Sequence, residues 1–144
     1  AFDLDRPPVH YVRKTIKSFI DDAMLMPHQT IPDSYQITSS GLRKLKLFAA
    51  FLKPYFESYK VVLHFLKVNR KAKLETKDKL KKIQGLGNQM IKNKKIDLVE
   101  SVSKINYANG LSLFSANGIR NHESENQIAH FEALIQAYLN LLRS

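Results

Sequence analysis

His28 and Asp33 stand in a His-x-x-x-x-Asp spacing. Such a pair can act as a base and its orienting carboxylate, the imidazole taking a proton from an acceptor hydroxyl while the aspartate fixes the ring. Here the segment reads Pro-His-Gln-Thr-Ile-Pro-Asp, and Pro32 disturbs the local geometry. The spacing is therefore read as a coincidence. The five histidines, His10, His28, His64, His122 and His130, show no metal-ligand spacing and no accompanying carboxylate cluster. With no cysteine, thiolate and disulfide chemistry are excluded. Gly85 and Gly87 fall inside a helical pattern and do not follow a strand, so they make no dinucleotide fingerprint. Neither a phosphate-cradling Gly-Lys loop nor a nucleophile elbow occurs. The expectation is a chain with no catalytic residue, no metal and no cofactor of its own.

What remains is charge. The formal net charge is +10, concentrated between Lys67 and Lys95. Lys67, Arg70, Lys71, Lys73, Lys77, Lys79, Lys81 and Lys82 make this segment rich in lysine and poor in arginine. Readers of base edges favour Arg and Asn. Lysines suit phosphate contacts without sequence readout, or anionic lipid headgroups at roughly 1 kcal/mol per residue near the surface. A solvated helix face is the plainer reading.

The element that must position everything else is the run from Gly41 to Lys67. Leu45, Phe48, Leu52, Tyr55, Phe56, Tyr59, Val62, Leu63 and Leu66 recur at three- and four-residue steps, which places them on one stripe of a helix. Lys44, Lys46, Lys53, Glu57 and Lys60 fall on the opposite face. Thr38, Ser39 or Ser40 supplies the cap. Pro54 predicts a kink, because it lacks an N–H for Ala50 and its ring crowds that carbonyl.

Before this helix, Val9 to about Met26 has a helical pattern, with Val9, Val12, Ile16, Phe19, Ile20 and Ala23 on one face. Pro27 and Pro32 end helix, and Ser34–Thr38 alternates as a short strand that can pair with Ala23–Met26 as a hairpin. After it come a charged connector over Val68–Leu74, a helix from Thr76 or Asp78 to about Lys92, and a helix from Leu98 to Ala116. That last-named helix is expected to turn Val102, Ile105, Ala108, Leu111 and Phe114 or Leu113 inward. Asn117-Gly118 stops it. Glu123–Glu125 opens the last helix, whose stripe is Ile128, Phe131, Ile135, Tyr138 and Leu142.

The predicted fold is mainly α: one domain over residues 1–144, built around a long Pro-kinked helix, with a small winged-helix-like β-hairpin near residues 24–38. Within it, 9–38 reads as a partial winged-helix-like unit and 39–144 as a helical bundle. With 44% apolar and 25% charged residues the chain is globular in composition. No apolar run reaches the roughly 18 residues that a membrane span needs. The opening AFDLDRPP is acidic and proline-containing, unlike a signal peptide.

Two blocks carry a family resemblance. The first is Tyr35-x-Ile-Thr-x-x-Gly41 with Leu52-Lys-Pro-Tyr-Phe-Glu-Ser-Tyr-Lys-Val-Val62. The second is Glu100-Ser-Val-Ser-Lys104 with Asn109-Gly-Leu-Ser-Leu-Phe and Asn117-Gly-Ile119. Together they resemble the C-terminal region of membrane-associated glycerol-3-phosphate and dihydroxyacetone-phosphate acyltransferases, the PlsB-like group, from about Val9 onward. The resemblance implies a parent enzyme that moves an acyl group from a thioester carrier to a hydroxyl of a three-carbon phosphate. It places the catalytic domain, with its His-x-x-x-x-Asp and phosphate-binding blocks, upstream of this region. His28 and Asp33 lie where the wing would be, so they inherit no catalytic role.

The implied function is that of a non-catalytic C-terminal domain of phospholipid biosynthesis. Its partners are the upstream acyltransferase domain and an anionic membrane surface at the cytoplasmic face, with Lys67, Arg70, Lys71 and Lys73 as the contact residues. The alternative is a winged-helix nucleic-acid binder whose recognition helix, Val9–Ala23, turns Arg13, Lys14 and Lys17 toward phosphate. A third reading is a helical scaffold or oligomerisation module.

Overall fold

The computed structural model describes residues 8–70 and 74–143. Its helices are α1 (Pro8–Asp21), α2 (Ser39–Val68), α3 (Thr76–Lys92), α4 (Lys104–Ala116) and α5 (Glu125–Arg143). Strands β1 (Leu25–Pro27) and β2 (Tyr35–Ile37) form an antiparallel hairpin between α1 and α2. The protein is thus mainly helical with one small hairpin, as its periodicity predicts. Short 3-10 turns at Val99–Ser101 and His122–Ser124 precede α4 and α5. The chain divides into two compact units, one up to Ala50 and one from Phe51 onward.

In the first unit α1 stops at Asp21, short of the expected Met26. Ala23 adopts a left-handed conformation with φ 55°. Its N–H donates to the Ile20 carbonyl at 2.9 Å and that of Met24 to the Phe19 carbonyl at 2.8 Å. These two bonds satisfy the last carbonyls of the helix and turn the chain into β1. The hairpin pairs Leu25 with Ile37, Met26 with Gln36 and Pro27 with Tyr35. Thr38 then starts α2 in the expected way, its hydroxyl accepting from the Gly41 N–H at 2.8 Å. The same hydroxyl donates to the Ala23 carbonyl at 2.6 Å, so the cap also fastens the helix to the end of α1. Gly41 lies against the Met24 backbone so closely that any Cβ would collide with the Met24 carbonyl. Among the described residues of this unit only Met24 and Gly41 are buried.

The second unit holds a continuous core. Val61, Val62, Leu63, Phe65 and Leu66 of α2 pack with Ile83 and Met90 of α3, Tyr107 and Phe114 of α4, and Ile128, Ile135 and Leu139 of α5. Phe56, Tyr59 and Phe131 are partly buried against this cluster, and Phe114 meets Tyr59 and Phe131 edge to face.

Five expectations are corrected here. The apolar stripe of α2 is buried only in its second half; Leu45 is 41% exposed, Phe48 59%, and Leu52 and Tyr55 are also exposed. Glu57, assigned to the solvent face, is 2% exposed. The helix expected from Leu98 is interrupted, because the N–H groups of Asp97 and Leu98 donate to the Glu57 side chain, and α4 begins only where Ser103 caps it through the Asn106 N–H. Ile105, expected inside, is 73% exposed in the first turn of α4, and Tyr138 is exposed while stacking on Phe56 at 5.1 Å.

Other signals hold. Gly118 closes α4 at φ 80°, and α3 spans Thr76–Lys92 as predicted. The assigned helix α2 continues through Pro54. The Ala50 carbonyl that Pro54 cannot serve belongs to an exposed residue, where water can take it.

Candidate functional site

The most constrained polar cluster sits where α2 meets the segment before α4. Glu57 Oε1 accepts from the Asp97 N–H at 2.9 Å. Glu57 Oε2 accepts from the Leu98 N–H at 2.9 Å and from the Ser101 hydroxyl at 2.7 Å. Next along the helix, the Ser58 hydroxyl lies 2.7 Å from the carbonyls of both Pro54 and Ser101 and accepts from Asn106 Nδ2 at 3.2 Å. Lys53 stands 4.0 Å from Glu57 and 2.8 Å from Asp97. The lysine's hydrogen bond holds the Asp97 carboxyl below its usual range. A buried carboxylate is stable only when its lone pairs are taken, and here they are taken by donors of this chain. The cluster therefore positions backbone and presents no free base. Glu57 and Ser58 come from the first sequence block and Ser101 from the second, so the two blocks meet in space.

The His28–Asp33 pair is not assembled as a base and its orienting carboxylate. His28 Nδ1 accepts from the Thr30 and Ile31 N–H groups, each at 3.2 Å. An orienting aspartate needs a proton on that nitrogen to accept, so the ring here caps a turn instead. Among the described residues no group of histidines and carboxylates is arranged to hold a metal ion.

Of the cations predicted for contact, Lys67 is paired with Glu132 at 2.9 Å, which raises its pKa through that hydrogen bond. Arg70 lines a cavity of about 580 Å³ with His64, Lys67, His122, Glu123 and Glu125. Lys71 and Lys73 lie outside the described residues. No helix among the described residues is long and apolar enough to cross a membrane.

His64 and Lys60 face a second cavity of about 380 Å³, bordered by Lys95 and Glu132. The Lys60 ammonium donates to the Lys95 carbonyl at 3.1 Å and to Gln136 at 3.0 Å. Burial, then the nearby Lys95, lowers the His64 pKa from its ordinary 6.5, against the pull of Glu132. The unfolded chain therefore takes up this proton at a higher pH than the folded one. His64 contributes stability fully above about pH 6.5, and the contribution falls as pH drops through that value toward the lower folded pKa. Denaturation midpoints measured from pH 7.5 to 5 should decline more in the native chain than in His64→Gln, as a difference in slope.

Sequence reasoning missed the cluster because a charged residue in a helix reads as solvated. The signal was there in the quoted blocks, where Glu57-Ser58 and Ser101 are the polar residues of otherwise packing motifs.

With this geometry in view, the comparisons with known proteins are informative. A family model for the glycerol-3-phosphate acyltransferase C-terminal region matches residues 2–123. The chain belongs to that family. No curated protein and no solved structure matches it.

Proposed function

We propose that the chain is the non-catalytic C-terminal domain of a glycerol-3-phosphate or dihydroxyacetone-phosphate acyltransferase of phospholipid synthesis, and that its first unit is the surface on which the acyltransferase domain of the same protein sits. One observation carries this reading. The unit up to Ala50 leaves its large apolar side chains outside: Val9, Val12 and Phe19 on α1, and Leu42, Leu45, Leu47 and Phe48 on α2. Ordering each residue costs about 1–2 kcal/mol of backbone entropy, whereas burying one methionine returns about 1.5–3 kcal/mol. Among the described residues of the unit Met24 is the one buried apolar side chain, and so exposed an apolar surface calls for a cover. Family membership supplies the candidate for it, a larger protein with an acyltransferase domain.

Membrane contact through Lys67, Arg70, Lys71 and Lys73 is the second part of the reading. Since Lys67 is held by Glu132, the burden falls on Arg70 and its neighbours. The family match gives no support to the winged-helix nucleic-acid alternative.

Replacing Leu45 and Phe48 by aspartate in the protein carrying this region should weaken domain docking about tenfold or more. The expected readouts are lost acyltransferase activity and faster proteolysis before Ala50. Native activity and native protection in that variant would refute the docking surface. In parallel, Arg70→Glu should reduce salt-dependent binding to anionic vesicles, and unchanged binding would remove the membrane part alone.

A further inference from the structure

The second unit holds a lysine that the docking proposal does not use. Lys60 and His64 stand four residues apart on α2, which makes them neighbours on one face of that helix. Both are partly buried, and both line the partly open cavity of about 380 Å³ described above. The same cavity has an apolar wall, made by the buried Met90 and by Ala133.

The hydrogen bonds of Lys60 suit an amine better than an ammonium. An ammonium has three N–H donors, whereas a neutral amine has two and a lone pair. Lys60 has two acceptors, the Lys95 carbonyl at 3.1 Å and Gln136 Oε1 at 3.0 Å, and neither is charged. Lys53 and Lys67, by contrast, donate to the carboxylates of Asp97 and Glu132. Loss of one proton therefore costs Lys60 neither bond, and the lone pair takes the third position. The electrostatics agree. Burial, then Arg143, lowers the Lys60 pKa from its ordinary value, with Lys95 acting in the same direction and Glu57 and Asp97 opposing. His64, held below 6.5 by burial and Lys95 against Glu132, is neutral at pH 7.5 and free to take a proton.

We propose that Lys60 is an acyl-accepting lysine, its amine attacking the carbonyl of a short-chain acyl thioester that enters this cavity. The lysine first gives its ammonium proton to water. The nitrogen–carbon bond then forms, and the attacking nitrogen passes a proton to His64. As the tetrahedral intermediate collapses the carbon–sulfur bond breaks, and the departing thiolate takes that proton from His64 to leave as a thiol. The product is an amide on Lys60, and the thioester is the one co-reactant. Met90 and Ala133 receive the alkyl end, and the cavity volume keeps that end short. The event happens once per chain and removes one positive charge from beside Lys95 and Arg143. It is independent of the docking surface, which lies in the other unit.

The test is incubation of the folded protein carrying this region with acetyl-coenzyme A at pH 7.5, followed by digestion and mass spectrometry of each lysine. The exposed Lys77 and Lys81 serve as internal references. Lys60 should be acetylated about tenfold faster than either, a modest share of what a positioned base supplies. His64→Gln should remove most of that advantage while the reference rates stay as they were. As pH rises, the Lys60 rate should level off earlier than the reference rates. A palmitoyl thioester below its aggregation threshold should show no preference for Lys60, because its chain exceeds the cavity. Equal rates at Lys60 and the reference lysines would overturn the proposal, as would a preference that survives unfolding in urea. A Lys60 advantage untouched by His64→Gln would overturn the role of the histidine as base.

Discussion

Glu57→Ala should cost about 3–5 kcal/mol of stability, seen as a large fall in the urea midpoint of the unit from Phe51 onward. The side chain is 2% exposed and serves three donors. Its removal leaves the N–H groups of Asp97 and Leu98 and the Ser101 hydroxyl without an acceptor, at about 1–3 kcal/mol for each that water cannot reach. It also loosens the segment that starts α4, which among the described residues is then held to α2 only by the Ser58 bond to the Ser101 carbonyl and the Lys53 bond to Asp97. Glu57→Gln should be milder, about 1–3 kcal/mol, since one oxygen remains while an amide NH₂ now confronts a donor. A midpoint unchanged in the alanine variant would mean that the cluster is solvated and contributes little.

A second large effect separates two glycines of α3 only two residues apart. A Cβ at Gly87 would run into the Tyr107 hydroxyl, while one at Gly85 meets open space. Gly85→Ala should therefore stabilise by about 1 kcal/mol through helix propensity alone. Gly87→Ala should destabilise by about 1–3 kcal/mol, because the overpacking outweighs that gain. The buried hydroxyl of Tyr107 has no hydrogen-bond partner among the described residues, and burial pushes its pKa up to about 12. Tyr107→Phe removes both the unsatisfied group and the atom that blocks Gly87, so it should stabilise by about 1 kcal/mol. In that background the Gly87→Ala penalty should shrink, leaving a coupling energy that a double-mutant cycle measures. Additive effects would mean that the tyrosine side chain swings aside.

How much was legible depends on whether the cause was local. The start of α2 could be read because Thr38 acts on an N–H three residues away. The glycine stop after α4 could be read for the same reason, whereas α3 begins at Thr76 with no side-chain cap. The core half of α2 was also legible, since Val62, Leu63 and Leu66 follow the helical period. The same period misassigned Leu45 and Phe48, because an apolar stripe reports that a face needs cover and says nothing about which chain segment provides it. Glu57 was misplaced because its partners lie about 40 residues further on, at Asp97 and Leu98, and a helical wheel contains no information about them. Ile105 failed because the break before Ser103 shifts the phase of α4.

The uncovered first unit has a consequence for biosynthesis. Under the proposed docking, the ribosome releases the covering domain before it releases α1 and the start of α2. A sticky segment emerging after that domain would find its template already folded, and its exposure to other chains would be limited to the time needed for one intramolecular collision. Supplied separately, the same segment would have to find its cover at the dilution of the cell, where self-association competes.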